Sequence, residues 1–327
     1  MRRLAPAAAL VGLLATSRPA LAHGTDVPAP RLPDVLAEWS FDPVAVALIL
    51  ATGAAYLWAV RRVNRSHPSN PHPRHRSVLF LGGLVTIGLA LLSPIEAYEG
   101  QLFSVHMVQH MLLQLVAAPL LLAGAPITLT LRAARPSVRR RLLAILQSRI
   151  VHVISFPLVA WVVFAAVNWG WHFSSLYDDA LESTALHYLQ HLTLLGAALL
   201  FWWPAIGADP SRWRLPHPVR LFYLFLAMPQ NSFLGVAIMQ ANQVLYPHYV
   251  TNLRAWGPSP LEDQQLGGVI MWTLGDVAFL VGMGIVVWIW VRHEDRRTVR
   301  LDRRLEAERA ARAERGEEGW RPRVGGG

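Results

Sequence analysis

The sequence predicts an all-α membrane protein: a seven-transmembrane helix bundle with its N-terminus outside and its C-terminus cytoplasmic. Three observations carry this. Hydrophobic residues make up 53% of the 327 positions and charged residues only 16%, with a mean hydropathy of +0.32, a balance that suits lipid better than water as solvent. Seven apolar stretches of about 18 to 25 residues follow one another, each long enough to cross a hydrocarbon core as a helix. Arginines collect in alternate connections, which sets the direction of each crossing.

In chain order, residues 1–22 read as a signal peptide. Arg2 and Arg3 precede an apolar run from Leu4 to Leu14, and a small-residue site ends at Ala20-Leu21-Ala22. The alternative is an uncleaved first span, but its apolar core is short and Pro19 sits near its end. Residues 23–42 then form an extracytoplasmic segment, 43–291 the transmembrane domain, and 292–327 an Arg/Glu-rich cytoplasmic tail. The spans begin near Pro43, Ser77, Phe103, Ile150, Ala185, Val219 and Gly267. Arg61, Arg62, Arg65, Arg74 and Arg76 follow the first, and Arg132, Arg135, Arg139, Arg140 and Arg141 follow the third. Arg212, Arg214 and Arg220 follow the fifth, so these loops are cytoplasmic by the positive-inside rule. The alternate loops carry Glu96, Glu99, Asp178, Asp179, Glu182, Glu262 and Asp263, with Arg254 as their basic residue. Localisation to a bacterial inner membrane follows, as a multi-pass protein.

This pattern also accounts for the net charge of +9. The basic residues are all arginine, and they serve as orientation signals and as partners for anionic lipid, so nucleic acid is not an expected partner. Pro136 to Gln147 alternates Arg with Leu and Ile at helical spacing and is expected at the inner interface. Trp202 and Trp203, at the inner end of the fifth span, read as part of an aromatic belt. His67, His72 and His75 read as a flexible polar loop. Pro229 to Ser232 reads as a kink in the sixth span, and Asp276 as a buried carboxyl or a cation site in the seventh.

The chemistry points to histidine. With no cysteine in the chain, thiolate metal sites and disulfides are excluded, leaving imidazole and thioether as the soft or borderline ligands. His106-Met-Val-Gln-His110 opens the third span and His187-Tyr-Leu-Gln-His191 the fifth. Four-residue spacing puts each pair on one helix face. His172 ends the fourth span at the same level. Met107 and Met111 flank the first pair, and Met271 lies just inside the seventh span beyond Asp263-Gln264-Gln265. The two HxxQH segments share upstream residues as well, Tyr98, Glu99, Leu102 and Ser104 against Tyr177, Asp178, Leu181 and Ser183, a weak internal repeat. Ionisable groups inside spans are costly and mark sites. The readings left open are a copper or other late first-row metal site, a haem site, and histidines that merely bond carbonyls or the neighbouring glutamines.

At these residues the chain resembles the CtaG-type family of cytochrome c oxidase assembly proteins. The matching stretches are HMVQHMLLQLVAAPLLLAGAP from His106, LYDDALESTALHYLQHLTLLGAALLFWWPAIG from Leu176, and LEDQQLGGVIMW from Leu261. The resemblance implies a non-enzymatic role in oxidase assembly, with copper as cargo and the catalytic, copper B bearing subunit as client. It carries over His106, His110, His187 and His191 as metal residues, with His172, Asp263, Gln264 and Gln265 in support. Haem-based electron transfer is the alternative from the residues, and a transporter reading that uses Gln230, Asn231 and Asp276 ranks last because no broken helix pair is evident.

Overall fold

Each long helix starts and stops at residues whose chemistry enforces the boundary. The computed structural model describes residues 38–314 except Leu253, together with the single positions 29 and 35. The expected signal peptide, most of the segment after it and the end of the tail lie outside the described residues. Among those described there is no strand.

Helix α1 (Pro43–Ser66) is capped by Asp42, whose carboxylate accepts from the backbone N–H of Val44 and Ala45 at 2.8 and 3.2 Å, with proline in the first turn. Helix α2 (Arg74–Leu92) is followed by the short α3 (Pro94–Glu99), which is capped by Ser93. The third expected span is built in pieces: α4 (Phe103–Met111), a π-helical segment (Leu112–Ala117), α5 (Ala118–Ala123) and α6 (Pro126–Ala133). Pro119 cannot donate to the ladder, and the helix widens just ahead of it. Ala125 takes a left-handed φ of 51° where α5 gives way to α6. There the buried Asp209 accepts from Ile127 and Thr128 N–H at 3.0 and 2.7 Å.

Helices α7 (Pro136–Leu146) and α8 (Arg149–Ile154) lead into α9 (Pro157–His172), α10 (Leu176–Glu182) and α11 (Thr184–Ile206). Then come α12 (His217–Met239), the one-turn α13 (His248–Thr251) and α14 (Pro260–Glu314). Among the described residues six helices are long and apolar enough to cross a membrane, making this a multi-pass membrane protein. The expected fourth span is divided. Ser148 caps α8, and Phe156, held extended ahead of Pro157, separates it from the 16 residues of α9. α14 runs without a break through the boundary expected at Arg292.

The core forms where α12 lies along α14 and α14 lies against α4, with α11 bridging α9 and α5. At the first of these contacts a Cβ on Gly268 would sit 2.7 Å from the Gly235 carbonyl, and one on Gly235 2.8 Å from the Gly268 carbonyl. Small residues thus set the close approach of the two helices. Asn231, in the Pro229 segment, donates to the Met271 carbonyl at 3.0 Å across the same contact, and Ser232 donates to Asp276 at 3.0 Å.

Two readings change. Trp202 is buried in the core rather than in a belt, and its indole N–H donates 3.0 Å to the Gln114 carbonyl in the π segment. His72 is buried rather than in a flexible loop. Its Nε2 is 2.9 Å from the Tyr56 hydroxyl, which itself donates to the Gly124 carbonyl at 2.9 Å. Burial, aided by Arg76 and Arg132, holds the His72 pKa below the usual histidine range.

Candidate metal centre

The histidine pairs are aimed by the helices that carry them. No side chain within α4 caps its own start. Asp263, at the beginning of α14, does this instead: its carboxylate accepts from Phe103 N–H at 2.7 Å and from the Ser104 hydroxyl at 2.5 Å. A carboxylate at a helix N-terminus satisfies orphan donors and complements the dipole. The same residue therefore fixes the rotation of the helix bearing His106 and His110. Gln264 accepts from Leu245 N–H at 2.6 Å and pins the loop leaving α12. Gln265 is half-buried on the next position.

The third and fifth spans touch through these residues. His106 Nε2 and His110 Nε2 are 2.8 Å apart, and His191 Nε2 donates 3.1 Å to Gln109 Oε1. Gln109 in turn donates to the Ala90 carbonyl at 2.9 Å and to Glu96 at 2.5 Å. His106, His110 and His191, all buried, each offer a ligand atom within 4.8 Å of the others. His187 stands one turn from His191, with ring centroids 4.3 Å apart.

His172, at the end of α9, has its Nδ1 2.7 Å from the Asn168 carbonyl. That contact requires Nδ1 to carry the proton, leaving the Nε2 lone pair available. Its ring lies 6.2 Å from that of His110. Met107, Met111 and Met271 belong to the apolar cluster around Phe103 and Phe201.

Glu99 is the residue that sequence reasoning missed. Fully buried at the end of α3, it places Oε2 2.8 Å from His106 Nδ1 and 3.9 Å from His187 Nε2. Together they form a second group of three potential ligands within 4.8 Å. Its sequence neighbourhood reads as an acidic loop. The one available signal is the repeat, which pairs Tyr98-Glu99 with Tyr177-Asp178.

Aromatic residues roof the cluster. The Tyr249 hydroxyl donates 3.1 Å to the Glu99 carbonyl and lies 3.3 Å from His106 Nδ1. Tyr246 donates to the His172 carbonyl at 3.1 Å, and Tyr177 packs against His106 with ring centroids 5.3 Å apart. Burial pushes the Tyr177 and Tyr249 phenols well above their usual range, so both remain protonated.

The donor set is of a kind that can hold a metal ion. His110 Nδ1, His172 Nε2 and Glu99 Oε1 are buried with no hydrogen-bond partner, and each such group left unsatisfied costs about 1–3 kcal/mol. Two groups of three buried ligands, His106 with His110 and His191 and Glu99 with His106 and His187, are each close enough to share an ion. Imidazole with a carboxylate and no thiolate suits copper, zinc, iron or nickel.

Comparison with known proteins places these residues inside a recognised region. The family model of the cytochrome c oxidase caa3 assembly factor, Caa3_CtaG, matches residues 54–293. Similar curated proteins include the uncharacterized protein Mb0105 of Mycobacterium bovis and MT0111 of Mycobacterium tuberculosis, each 32% identical over 292 residues. The uncharacterized protein ML1998 of Mycobacterium leprae is 28% identical over 286. The alignments cover 86%, 86% and 85% of this chain but only 43% of each relative, so the chain spans under half the length of the curated proteins it matches. No solved structure matches.

Proposed function

The chain belongs to the cytochrome c oxidase caa3 assembly factor family, and from that premise we propose that it is a non-enzymatic assembly factor that carries copper to the oxidase. The cargo is held by His106, His110 and His191, with His172 and His187 beside them. The client is the catalytic subunit that receives copper B. The observation that carries this reading is the convergence of three buried imidazoles within 4.8 Å in a protein without cysteine.

The ladder of arginine-rich loops supports seven crossings from outside to inside, with α8 and α9 as the fourth and the histidines at the periplasmic end. Copper meets the protein on that side and need not cross the membrane.

The haem alternative is weakened by crowding. With His106 and His110 nose to nose at 2.8 Å and Tyr177 against the same ring, no porphyrin plane fits between them. The test is metal analysis with optical spectroscopy on detergent-purified protein. Wild type should bind copper and show no Soret band, and His106→Ala and His191→Ala should lose the copper. A wild-type protein that binds no copper would refute the cargo assignment, and a Soret band after haem-replete expression would favour the electron carrier.

A further inference from the structure

His106 has donors on both edges of its ring. On the Nδ1 edge, Glu99 Oε2 is at 2.8 Å, and the His187 Nε2 lies 3.9 Å from that same oxygen. On the Nε2 edge, His110 Nε2 is at 2.8 Å, and His191 completes the group. The two triads, Glu99–His106–His187 and His106–His110–His191, share one imidazole and nothing else.

A carboxylate beside a ligating histidine is often only an orienting partner, hydrogen-bonded to the ring nitrogen away from the metal. That role accounts for the 2.8 Å contact of Glu99 Oε2 but not for the buried Glu99 Oε1, which has no hydrogen-bond partner. The 3.9 Å between Glu99 and His187 is too long for a hydrogen bond. It is a separation that one ion spans, because two ligand atoms each about 2.0–2.2 Å from a metal lie at most about 4.4 Å apart. Both edges of His106 thus carry a carboxylate or imidazole set of the kind late first-row metals take.

We infer that the centre holds two metal ions, bridged by His106, with Glu99 and His187 completing one position and His110 and His191 the other. This rests on the metal reading above and deepens it: the cargo is a pair of ions rather than one. When the second ion binds, the remaining ring proton of His106 leaves to solvent and the imidazolate bridges. Glu99 is then a ligand in its own right.

The test is metal stoichiometry on the full-length protein in detergent, after Cu(II) addition and removal of excess. Wild type should hold two ions per chain, with the EPR signal of the first ion lost as the second binds and the two spins couple through the ring. Glu99→Gln and His110→Ala should each keep one ion, with an uncoupled signal. His106→Ala should lose both together, which distinguishes the shared ligand from two independent sites. One ion in wild type, two uncoupled ions, or one ion retained in His106→Ala would overturn the bridge while leaving a metal centre. No ion in wild type would overturn the metal reading itself. Because the first of these results comes from wild type, it does not depend on any variant folding.

Discussion

A buried side chain imposes its own conditions on pH and on helix ends, and two residues here make that measurable. His72 donates to the Tyr56 oxygen while Tyr56 donates to Gly124, and burial close to Arg76 and Arg132 favours the neutral imidazole over the cation. Its folded pKa lies below the value near 6.5 expected when unfolded. Below about pH 6.5 the unfolded chain therefore binds a proton that the folded one resists, and stability is lost as pH falls toward the folded pKa. A thermal melt in detergent from pH 7.5 to 5 should show wild type losing more than His72→Gln, and parallel curves would show that His72 does not contribute. Asp263→Ala should lower stability by about 0.5–2 kcal/mol through the lost cap, and it should weaken metal binding because α4 turns; an unchanged metal affinity would limit Asp263 to a structural role. The paired histidines were legible in the sequence, because four-residue spacing fixes a common helix face wherever the helix goes. Glu99 was not, because a helix break at Gly100 and Leu102 lies between it and His106, and only tertiary folding brings the two together.

At the scale of the element, irregularities carry as much of the architecture as the regular helices do. The widened turn at Leu112–Ala117 exposes the Gln114 carbonyl, which the Trp202 indole satisfies. Trp202→Phe keeps the ring but orphans that carbonyl, and the cost should be about 1–3 kcal/mol in a denaturation series; no measurable change would mean that water or a neighbour replaces the bond. Gly268→Leu should be worse tolerated than a change at Gly284, where nothing lies within 4 Å of an added Cβ. Overpacking costs about 1–3 kcal/mol, and here the obstruction is the backbone of α12. The tryptophan pair in FWWPAIG resembles an interfacial belt because hydropathy cannot report what a side chain touches. The fourth span resembles one continuous helix for a similar reason: apolar content runs through Phe156-Pro157, where backbone sterics stop it.

For the whole molecule, the apolar count and the arginine ladder gave the class of fold, since both are sums over many residues and survive local breaks. The direction of crossing expected from that ladder is open to a direct check, because the chain contains no cysteine to interfere. A cysteine at Glu182 should react with an impermeant maleimide in intact spheroplasts, and one at Ser137 only after lysis. The opposite pattern would put the histidine cluster on the cytoplasmic side. Supply of copper to the oxidase by this cluster is decided by the copper content of oxidase purified from cells whose only copy carries His106→Ala with His191→Ala. Those cells should yield oxidase of normal subunit composition that is depleted in copper B, restored by wild-type protein. Fully metallated oxidase from those cells, with the variant present at normal level, would contradict it.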